Sequence, residues 1–322
     1  MKILILGCGS IGKRHITNLK YLGYNDICIY DIDRELAASV GRNFDLSTVR
    51  SISEGIDNKP DIAFICVPNH LHLSTAISLA RNGIHLFIEK PLDINLDNFN
   101  ELSEIIVKNT IINMVGCNFR FDEGLKLIKN FLVEGQIGVP LTLRAVFGYY
   151  LPDWRQGADY RKNYAAKKET GGGVILDRIH EFDYVIWLLG DVSSISGFSR
   201  STGSLDIETE DVADIIFKHT NGVISNIHVD YLRREYLCCC EVTGTEGIAF
   251  WNFKDRQASL YKSDSKTWHH YSDHISKDIN TMYVEEIKYF MDCVENKRQT
   301  CNTVFDSAKT LQIAITARER TI

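Results

Sequence analysis

Residues 86–91, Leu-Phe-Ile-Glu-Lys-Pro, end an apolar run with an acid, an amine and a proline. Lys90 places an amine, a charged hydrogen-bond donor, at the end of that run. Pro91 restricts the backbone that follows. By itself Glu89-Lys90-Pro91 is more often a solvated strand end, so a catalytic interpretation needs partners elsewhere in the chain.

A glycine-rich loop near the N-terminus is the first such partner. Gly7-Cys8-Gly9-Ser10-Ile11-Gly12 follows the apolar run 3–6 and precedes a helical pattern, which is the context of a dinucleotide-binding loop. Gly7 permits a tight turn, Gly9 lets a pyrophosphate approach the backbone, and Gly12 allows close helix packing. The helix N-terminus supplies N–H donors for phosphate. The predicted cofactor contacts here are Gly7, Gly9, Ser10, Ile11 and Gly12.

A carboxylate follows the second apolar run. Asp31 ends Ile29-Tyr30-Asp31, where it can accept a hydrogen bond from a ribose 2′-hydroxyl and repel a 2′-phosphate. NAD is therefore favoured over NADP as the cofactor, although Arg34 nearby weakens that preference. The alternative is a glycine turn that joins strand to helix without binding a ligand.

The surrounding elements predict a two-domain α/β protein. Short β-rich runs alternate with helical patterns over the first 120 residues, which is typical of parallel βαβ units. After Arg120 the chain changes to a helix, a strand, a helix from about 173 to 189, and a series of strand-like runs. We predict a Rossmann doubly wound parallel sheet over residues 1–120. Residues 121–322 are predicted to form an α/β domain with a large open, mainly antiparallel sheet, and the last helix is a candidate to pack on the first domain.

Composition excludes several classes of protein. Hydrophobic residues make up 44% and charged residues 24%, and no apolar run approaches the roughly 20 residues of a membrane helix. The net charge of −6 argues against binding nucleic acid. The N-terminal run resembles no signal peptide, so a cytoplasmic protein with a small-molecule partner is expected.

Cysteines and histidines give no metal signal. The nine cysteines are scattered, and the triplet Cys238-Cys239-Cys240 has no C-x-x-C partner. His269, His270 and His274 have no standard zinc spacing and are expected in an exposed loop. No metal site is predicted.

Taken together, the motifs resemble one family over nearly the whole chain. They match the glucose-fructose oxidoreductase/inositol dehydrogenase/rhizopine-catabolism protein family, including a variant linked to surface-sugar biosynthesis. The residues that carry the resemblance are the glycine loop with His15, Val67-Pro68-Asn69-x-x-His72, Glu89-Lys90-Pro91, Asn118-x-Arg120, and Gly171-Gly172-Gly173-x-x-x-Asp177 with His180. One departure is Asp122, where the family often has a proline.

The resemblance implies an NAD-dependent dehydrogenase acting on a CH–OH group. His180 would be the general base, Lys90 would hydrogen-bond the same oxygen, and Asp177 would orient His180. Asp177 and His180 are three residues apart instead of the family's four, yet both would lie on one helix face. A structural histidine and a helix-capping aspartate are the alternatives. The implied cofactor contacts are Pro68, Asn69, His72, Glu89 and Lys90.

The stretch 151–170 precedes the glycine triplet and is predicted to be a substrate loop. Its aromatic residues can stack on a sugar and its cations can bind an anion, so a nucleotide-linked or otherwise anionic sugar is favoured. A solvated loop that contacts another subunit is the alternative. The predicted substrate contacts are Lys90, Asn118, Arg120, Trp154, Arg155, Tyr160, Arg161, Tyr164, Asp177 and His180.

Two other functions remain open. An NAD-dependent glycosidase would oxidise its substrate transiently and accumulate no NADH, and a non-catalytic NAD-binding sensor would turn over no sugar. Both catalytic residue types are present, which favours an enzyme. A homodimer or homotetramer is expected, with the open sheet as a candidate contact face.

Overall fold

The computed structural model describes residues 1–154, 157 and 159–319. These residues form two compact units. The first contains Met1–Cys117 and Met282–Lys309, and the second contains Asn118–Thr281 with the described residues from Thr310 onward. The prediction assigned residues 121–322 to the second domain, with the last helix as a candidate to pack on the first. The structure groups residues 282–309 with the first unit instead.

The regular elements of the described residues alternate early and become strand-rich later. The strands are β1 (Ile3–Leu6), β2 (Ile27–Tyr30), β3 (Ser47–Thr48), β4 (Ile62–Ile65), β5 (His85–Glu89), β6 (Asn113–Gly116), β7 (Pro140–Tyr150), β8 (Val192–Arg200), β9 (Val212–His219), β10 (Ile224–Asp230), β11 (Leu232–Gly244), β12 (Gly247–Asn252), β13 (Gln257–Lys262) and β14 (Thr267–His270). The α-helices are α1 (Ser10–Tyr21), α2 (Arg34–Phe44), α3 (Ile52–Asp57), α4 (His72–Ala80), α5 (Phe99–Asn109), α6 (Glu123–Val133), α7 (Val174–Asp177), α8 (Ile179–Leu189), α9 (Asn280–Glu295) and α10 (Val304–Glu319).

Strands β1 to β6 form a parallel sheet in the order β3-β2-β1-β4-β5-β6. Every residue of β1 and β4 is buried, as expected for central strands covered on both faces. The register pairs Leu6 with Ile65 and Ile65 with Ile88. The carboxyl ends of β1, β4 and β5 therefore lie level at one sheet edge. The predicted Rossmann sheet is confirmed.

Late residues complete the first unit by contacts with that sheet. The N–H of Val115 in β6 donates to the carbonyl of Asn302 at 2.9 Å. On α9, Phe290 packs edge-on against Phe64 and Phe87, with ring centroids 5.9 and 5.4 Å away. These contacts explain why residues 282–309 belong to the first unit.

The second unit contains a sheet of order β14-β13-β12-β11-β7-β10-β9-β8. Neighbouring strands are antiparallel except for the parallel pair β7 and β10, so the predicted mainly antiparallel sheet is confirmed. On β7, Leu143, Ala145 and Phe147 are buried and alternate with more exposed residues. The edge strand β14 is fully exposed and carries His269 and His270.

The predicted continuous helix from about 173 to 189 is wrong, because the chain breaks at Arg178. This residue lies between α7 and α8 with ψ of 35°. Its guanidinium donates to both carboxylate oxygens of Glu181, at 3.2 and 3.0 Å, and stacks 3.3 Å from the ring centroid of Phe147. Arg178 thus forms the turn between α7 and α8 and is held there by its side-chain contacts. Hydrophobic periodicity does not reveal this turn.

Among the helices that the structure describes, none combines the length and the apolar character needed to cross a bilayer.

Candidate functional site

The glycine loop after β1 contains two tightly packed glycines and one open one. Gly7 has φ of +99°, and a Cβ there would lie 2.3 Å from the carbonyl oxygen of Cys66. A Cβ on Gly12 would lie 2.0 Å from the carbonyl oxygen of Gly7. A Cβ on Gly9 would meet nothing within 4 Å among the described residues. The loop therefore leaves space beside Gly9, where a pyrophosphate can approach.

Helix α1 begins directly after this open position. Gly9 is its N-cap and contributes no side chain, and the described first turn contains no acidic residue. Ser10 is exposed and Ile11 is half-buried. The first backbone N–H groups of an α-helix lack partners within the helix and favour a bound anion.

Asp31 follows β2 and is tied to the glycine loop. Its carboxylate accepts from the N–H of Cys8 at 2.6 Å and from the N–H of Asp33 at 2.9 Å. Each carboxylate oxygen retains a second lone pair for another donor. Two residues near Asp31 are exposed. Ile32, which was not predicted as a site residue, is 88% exposed. Arg34, which weakens the predicted preference for NAD over NADP, is also exposed.

The segment after β4 brings Pro68, Asn69 and His72 to the same sheet edge. Pro68 is exposed and Asn69 is half-buried at the start of a short 3-10 helix. His72 is only 1% exposed. Its Nδ1 lies 2.7 Å from the carbonyl oxygen of Pro91, and its Nε2 lies 2.9 Å from that of Val67. Burial lowers the pKa of His72 below its usual value of 6.5.

Glu89 is the last residue of β5, and the peptide bond from Lys90 to Pro91 is cis. Glu89 is held by His15, for which no role was predicted from the sequence. Nε2 of His15 lies 2.5 Å from Oε1 of Glu89, and the two side chains are 0% and 13% exposed. His15 belongs to the motif set, but its partner lies 74 positions away and only the fold brings them together.

In the second unit, Asn118 and Arg120 lie in a buried 3-10 helix. Nε and NH2 of Arg120 each donate to an oxygen of Asp183, both at 2.8 Å. The side chain of Arg120 is only 8% exposed. Two of its N–H groups are therefore directed at Asp183, and a substrate contact by Arg120 stays a prediction.

The predicted substrate loop contains a pocket of about 300 Å³ in the second unit. It is lined by Leu151, Pro152, Trp154, Asp159, Tyr160, Lys162 and Asn163. Trp154 is 49% exposed, and its ring centroid lies 4.4 Å from that of Tyr149. Arg161 is paired with Asp159 through two hydrogen bonds of 2.8 and 3.0 Å. Arg155 lies outside the described residues.

The glycine triplet lets this loop fold back tightly. A Cβ on Gly172 would lie 2.5 Å from the carbonyl oxygen of Tyr164. The N–H of Gly173 donates to the carbonyl of Ala165 at 3.0 Å. Gly171 has φ of +77° and Gly173 has φ of +106°, which L side chains rarely adopt. The triplet therefore fixes the backbone position of Tyr164.

Asp177 ends α7 and is held by two tyrosines. Oδ1 accepts from the hydroxyl of Tyr164, and Oδ2 accepts from the hydroxyl of Tyr231 at 3.1 Å. Burial raises the pKa of Tyr231 well above its ordinary value, so this hydroxyl keeps its proton and remains a donor. No role was predicted for Tyr231 from the sequence. Only the sheet brings it within reach of a residue 54 positions away.

His180 lies in the first turn of α8 and is 8% exposed, with its ring centroid 5.0 Å from that of Phe119. Because the chain breaks at Arg178, Asp177 and His180 lie on different helices, and the expected shared helix face is wrong. In the described residues, no group of three His, Cys, Asp or Glu side chains is arranged to hold a metal ion.

The chain resembles proteins of known name in both sequence and fold. The scyllo-inositol 2-dehydrogenase (NAD(+)) of Bacillus subtilis is 24% identical over 328 residues, which cover 98% of this chain and 93% of that protein. A solved levoglucosan dehydrogenase, in complex with NADH and levoglucosan, has a TM-score of 0.89 at 19% identity, covering 99% of this chain and 96% of that one. UDP-N-acetylglucosamine 3-dehydrogenase from Acidithiobacillus ferrooxidans has a TM-score of 0.83 at 18% identity, covering 100% and 97%. These structures share the fold.

Family models cover both units. Residues 1–117 match an oxidoreductase family with an NAD-binding Rossmann fold, and residues 125–250 match the GFO/IDH/MocA C-terminal domain. The two matches together span well over half of the chain. The chain therefore belongs to the GFO/IDH/MocA family of oxidoreductases, whose first domain binds NAD.

Proposed function

We propose that this protein is an NAD-dependent dehydrogenase of a sugar or cyclitol CH–OH group. The observation that carries the proposal is the level register of Leu6, Ile65 and Ile88. This register brings the glycine loop, the 66–72 segment and Lys90 to the carboxyl edge of one parallel sheet. Ligands of open α/β sheets bind at that edge.

The first unit fits the cofactor. The space beside Gly9 and the N–H groups at the start of α1 suit a pyrophosphate, and Asp31 suits a ribose hydroxyl. NAD, when bound, supplies a nicotinamide that accepts or returns a hydride. The carboxylate of Asp31 disfavours the 2′-phosphate of NADP, and the exposed side chain of Ile32 offers an apolar surface for the adenine. Pro68 and Asn69 are proposed to line the nicotinamide side.

We assign the charge and proton chemistry to three residues. Nζ of Lys90 donates to the substrate oxygen and stabilises negative charge on it. The imidazole of His180 takes the proton of the substrate hydroxyl as general base, and returns it in the reverse direction. Asp177, fixed by its two tyrosines, favours the protonated imidazole through its charge.

An anionic or nucleotide-linked sugar is the favoured substrate class. The pocket in the 151–163 loop combines the exposed ring of Trp154 with polar groups and the cation of Lys162. Aromatic faces and hydrogen-bonding groups suit a sugar, and a lysine suits a phosphate or carboxylate. Arg161 contributes less than its charge suggests because Asp159 accompanies it.

The test is NADH formation with a panel containing levoglucosan, scyllo-inositol and UDP-N-acetylglucosamine. Wild type is expected to accumulate NADH with at least one of them. Lys90→Ala and His180→Ala are expected to lose about 100-fold or more in kcat, with affinity for ADP-ribose retained. Wild-type turnover in either variant would remove that residue from the mechanism.

The same panel separates the other functions. Sugar conversion without net NADH would identify a transient-oxidation glycosidase. NAD binding without conversion of any sugar would favour a sensor. If only neutral sugars react, the anionic-substrate proposal fails.

We also propose that the protein self-associates through the open face of the second sheet. Phe198, Ile216 and Ile224 are 69%, 45% and 52% exposed on adjacent strands β8, β9 and β10. Ile216 pairs with Asn226, two residues from Ile224, so both isoleucines share one face. Contiguous exposed apolar side chains favour association. Light scattering should report a dimer or tetramer, and Ile216→Asp should reduce its mass.

A further inference from the structure

Lys90 lies between two residues that are each held by a buried histidine. On its N-terminal side, the carboxylate of Glu89 meets His15. On its C-terminal side, the carbonyl oxygen of Pro91 meets His72. The two histidines come from different helices, α1 and α4, so two separate elements fix the short segment that carries the lysine.

The His15 side is rigidly packed. The imidazole packs against the stacked pair Phe64 and Phe87, with ring centroids 5.4 and 5.1 Å away. On β6, a Cβ at Gly116 would lie 3.0 Å from the Phe87 ring and 3.5 Å from Oε1 of Glu89. An alanine at position 116 would thus press on the Phe87 ring, so Gly116 leaves the room in which the ring and the His15–Glu89 pair sit.

The His72 side ties three chain segments together. One ring nitrogen meets Pro91 after the lysine, and the other meets Val67 after β4. The next residue, Leu73, donates its N–H to Oδ2 of Asp93 at 2.9 Å. The start of α4 is therefore attached to the chain at two points within three residues after Lys90.

Stability alone is a weak reason for the His15–Glu89 pair. Burying a charged or polar pair costs solvation that its attraction repays only with good geometry, and apolar replacements are often as stable. Nδ1 of His15 is also buried with no hydrogen-bond partner among the described residues, which adds to the cost. A pair that stabilises little, placed directly before a reactive lysine, suits a positioning role.

We infer that His15 and His72 are positioning residues that set the direction of Lys90, and that Glu89 acts through His15 instead of as a cofactor ligand. This inference rests on the proposed function, in which Nζ of Lys90 acts on the substrate oxygen beside the nicotinamide. A lysine side chain has four rotatable bonds, so the position of its amine is well defined only when the backbone that carries it is fixed. Misplacement by about 1 Å can cost about 100-fold in rate.

The test compares two probes, NADH and ADP-ribose. ADP-ribose lacks the nicotinamide and should depend on the glycine loop but not on Lys90. The variants are His15→Phe, which preserves packing with Phe64 and Phe87, and His72→Gln. Each is expected to weaken NADH binding at least about 3-fold relative to ADP-ribose, and to lower kcat about 10-fold or more.

His219→Asn is the matched control. His219 is 1% exposed, and its ring nitrogens lie 2.8 Å from the carbonyl oxygen of Gly190 and 2.9 Å from Oγ of Ser225. It lies in the second unit, so its loss should reduce stability without changing the NADH to ADP-ribose ratio. An equal change in His219→Asn and His15→Phe would show a general effect of stability and overturn the inference.

Glu89→Gln and Glu89→Ala provide a second test of the inference that leaves both buried histidines in place. Glutamine retains an oxygen acceptor for His15, so it should lose less than alanine in both affinity ratio and kcat. Equal affinity ratios in wild type and Glu89→Ala would overturn the inference. If wild type binds NADH but oxidises no sugar, the proposed function fails, whereas the affinity ratio still decides the positioning role.

Discussion

Around Lys90 the polar side chains are anchored by histidines, whereas around Asp177 and His180 they are anchored by arginine–carboxylate pairs and tyrosines. The first arrangement, here called the lysine cluster, comprises His15, His72, Glu89, Lys90 and Pro91. The second, the α7–α8 cluster, comprises Tyr164, Asp177, Arg178, His180, Glu181, Asp183 and Tyr231 with Arg120. The lysine cluster fixes backbone beside one residue. The α7–α8 cluster instead concentrates full charges in a buried helix pair.

This difference predicts different kinds of failure. Removing one member of a buried ion pair leaves an uncompensated charge, so the α7–α8 cluster should fail mainly in stability. Substitutions in the lysine cluster should act mainly on the affinity for NADH and on kcat. The four tryptophans, at 154, 187, 251 and 268, all lie in the second unit, so their fluorescence reports the unfolding of that unit.

The largest effect is expected for Arg120→Ala. Asp183 would remain buried at 2% exposure without its bidentate partner, and unfolding of the second unit should become easier by about 3–5 kcal/mol. Denaturant titration followed by tryptophan fluorescence measures this change. The control is Arg161→Ala, which removes an equally bidentate pair whose arginine is 55% exposed and should cost less than about 1 kcal/mol. Similar midpoints for both variants would contradict the comparison.

The next effect is expected for Gly173→Ala. The residue has φ of +106°, and its Cβ would lie 2.2 Å from Oε1 of Glu210, which accepts from the N–H of Ile175. Backbone strain and displacement of Glu210 should together cost about 3 kcal/mol. Gly203→Ala is the control, because Gly203 has φ of +76° but open space around it. It should cost only about 1 kcal/mol, and an equal loss in both would remove Glu210 from the explanation.

A third prediction concerns the glycine loop of the first unit. Gly9→Ala places a methyl group where the described structure has open space, so stability should be unchanged. The affinity for ADP-ribose should fall about 10-fold, which is about 1.4 kcal/mol. Isothermal titration measures this loss. Gly12→Ala should instead destabilise the unit, since its Cβ would lie 2.0 Å from the Gly7 carbonyl oxygen. Unchanged ADP-ribose affinity in Gly9→Ala would place the pyrophosphate elsewhere.

The two clusters also differ in what could be predicted from the sequence. The parallel strands, the glycine loop and the place of Lys90 follow from apolar runs that end in distinctive residues. The anchors do not follow, because His15 reaches Glu89 only after α1 packs beside β5. The break at Arg178 was missed because the helical pattern is continuous there. A substrate role for Arg120 was predicted from its place in the Asn118-x-Arg120 motif of the family resemblance, and its buried pairing with Asp183, 63 positions away, is a property of the fold.

The smallest predicted effect is an opposite pH dependence in the two units. Hydrogen bonds to Asp230 and Asp214 raise the pKa of His228 above its usual 6.5. A raised pKa contributes stability that is fully present below about pH 6.5 and is lost as the pH rises through the folded-state value. His72 has a lowered pKa, so its contribution is present above about pH 6.5 and is lost as the pH falls.

Hydrogen exchange read by mass spectrometry can follow both units in one sample. Between pH 8 and 5.5, approximate values chosen to span the 6.5 reference, peptides of β10 around His228 should gain protection and peptides of α4 around His72 should lose it, after correction for the intrinsic exchange rate. The His228 side chain is 32% exposed, so its contribution should stay below about 1 kcal/mol. His228→Gln should abolish the gain in β10, and His72→Gln should abolish the loss in α4, each without changing the other segment. The opposite slopes would then belong to single histidines: His228 lies on β10 of the second unit and contacts Asp214 and Asp230, whereas His72 in the lysine cluster supports Pro91. Slopes of the same sign in β10 and α4 would break this comparison.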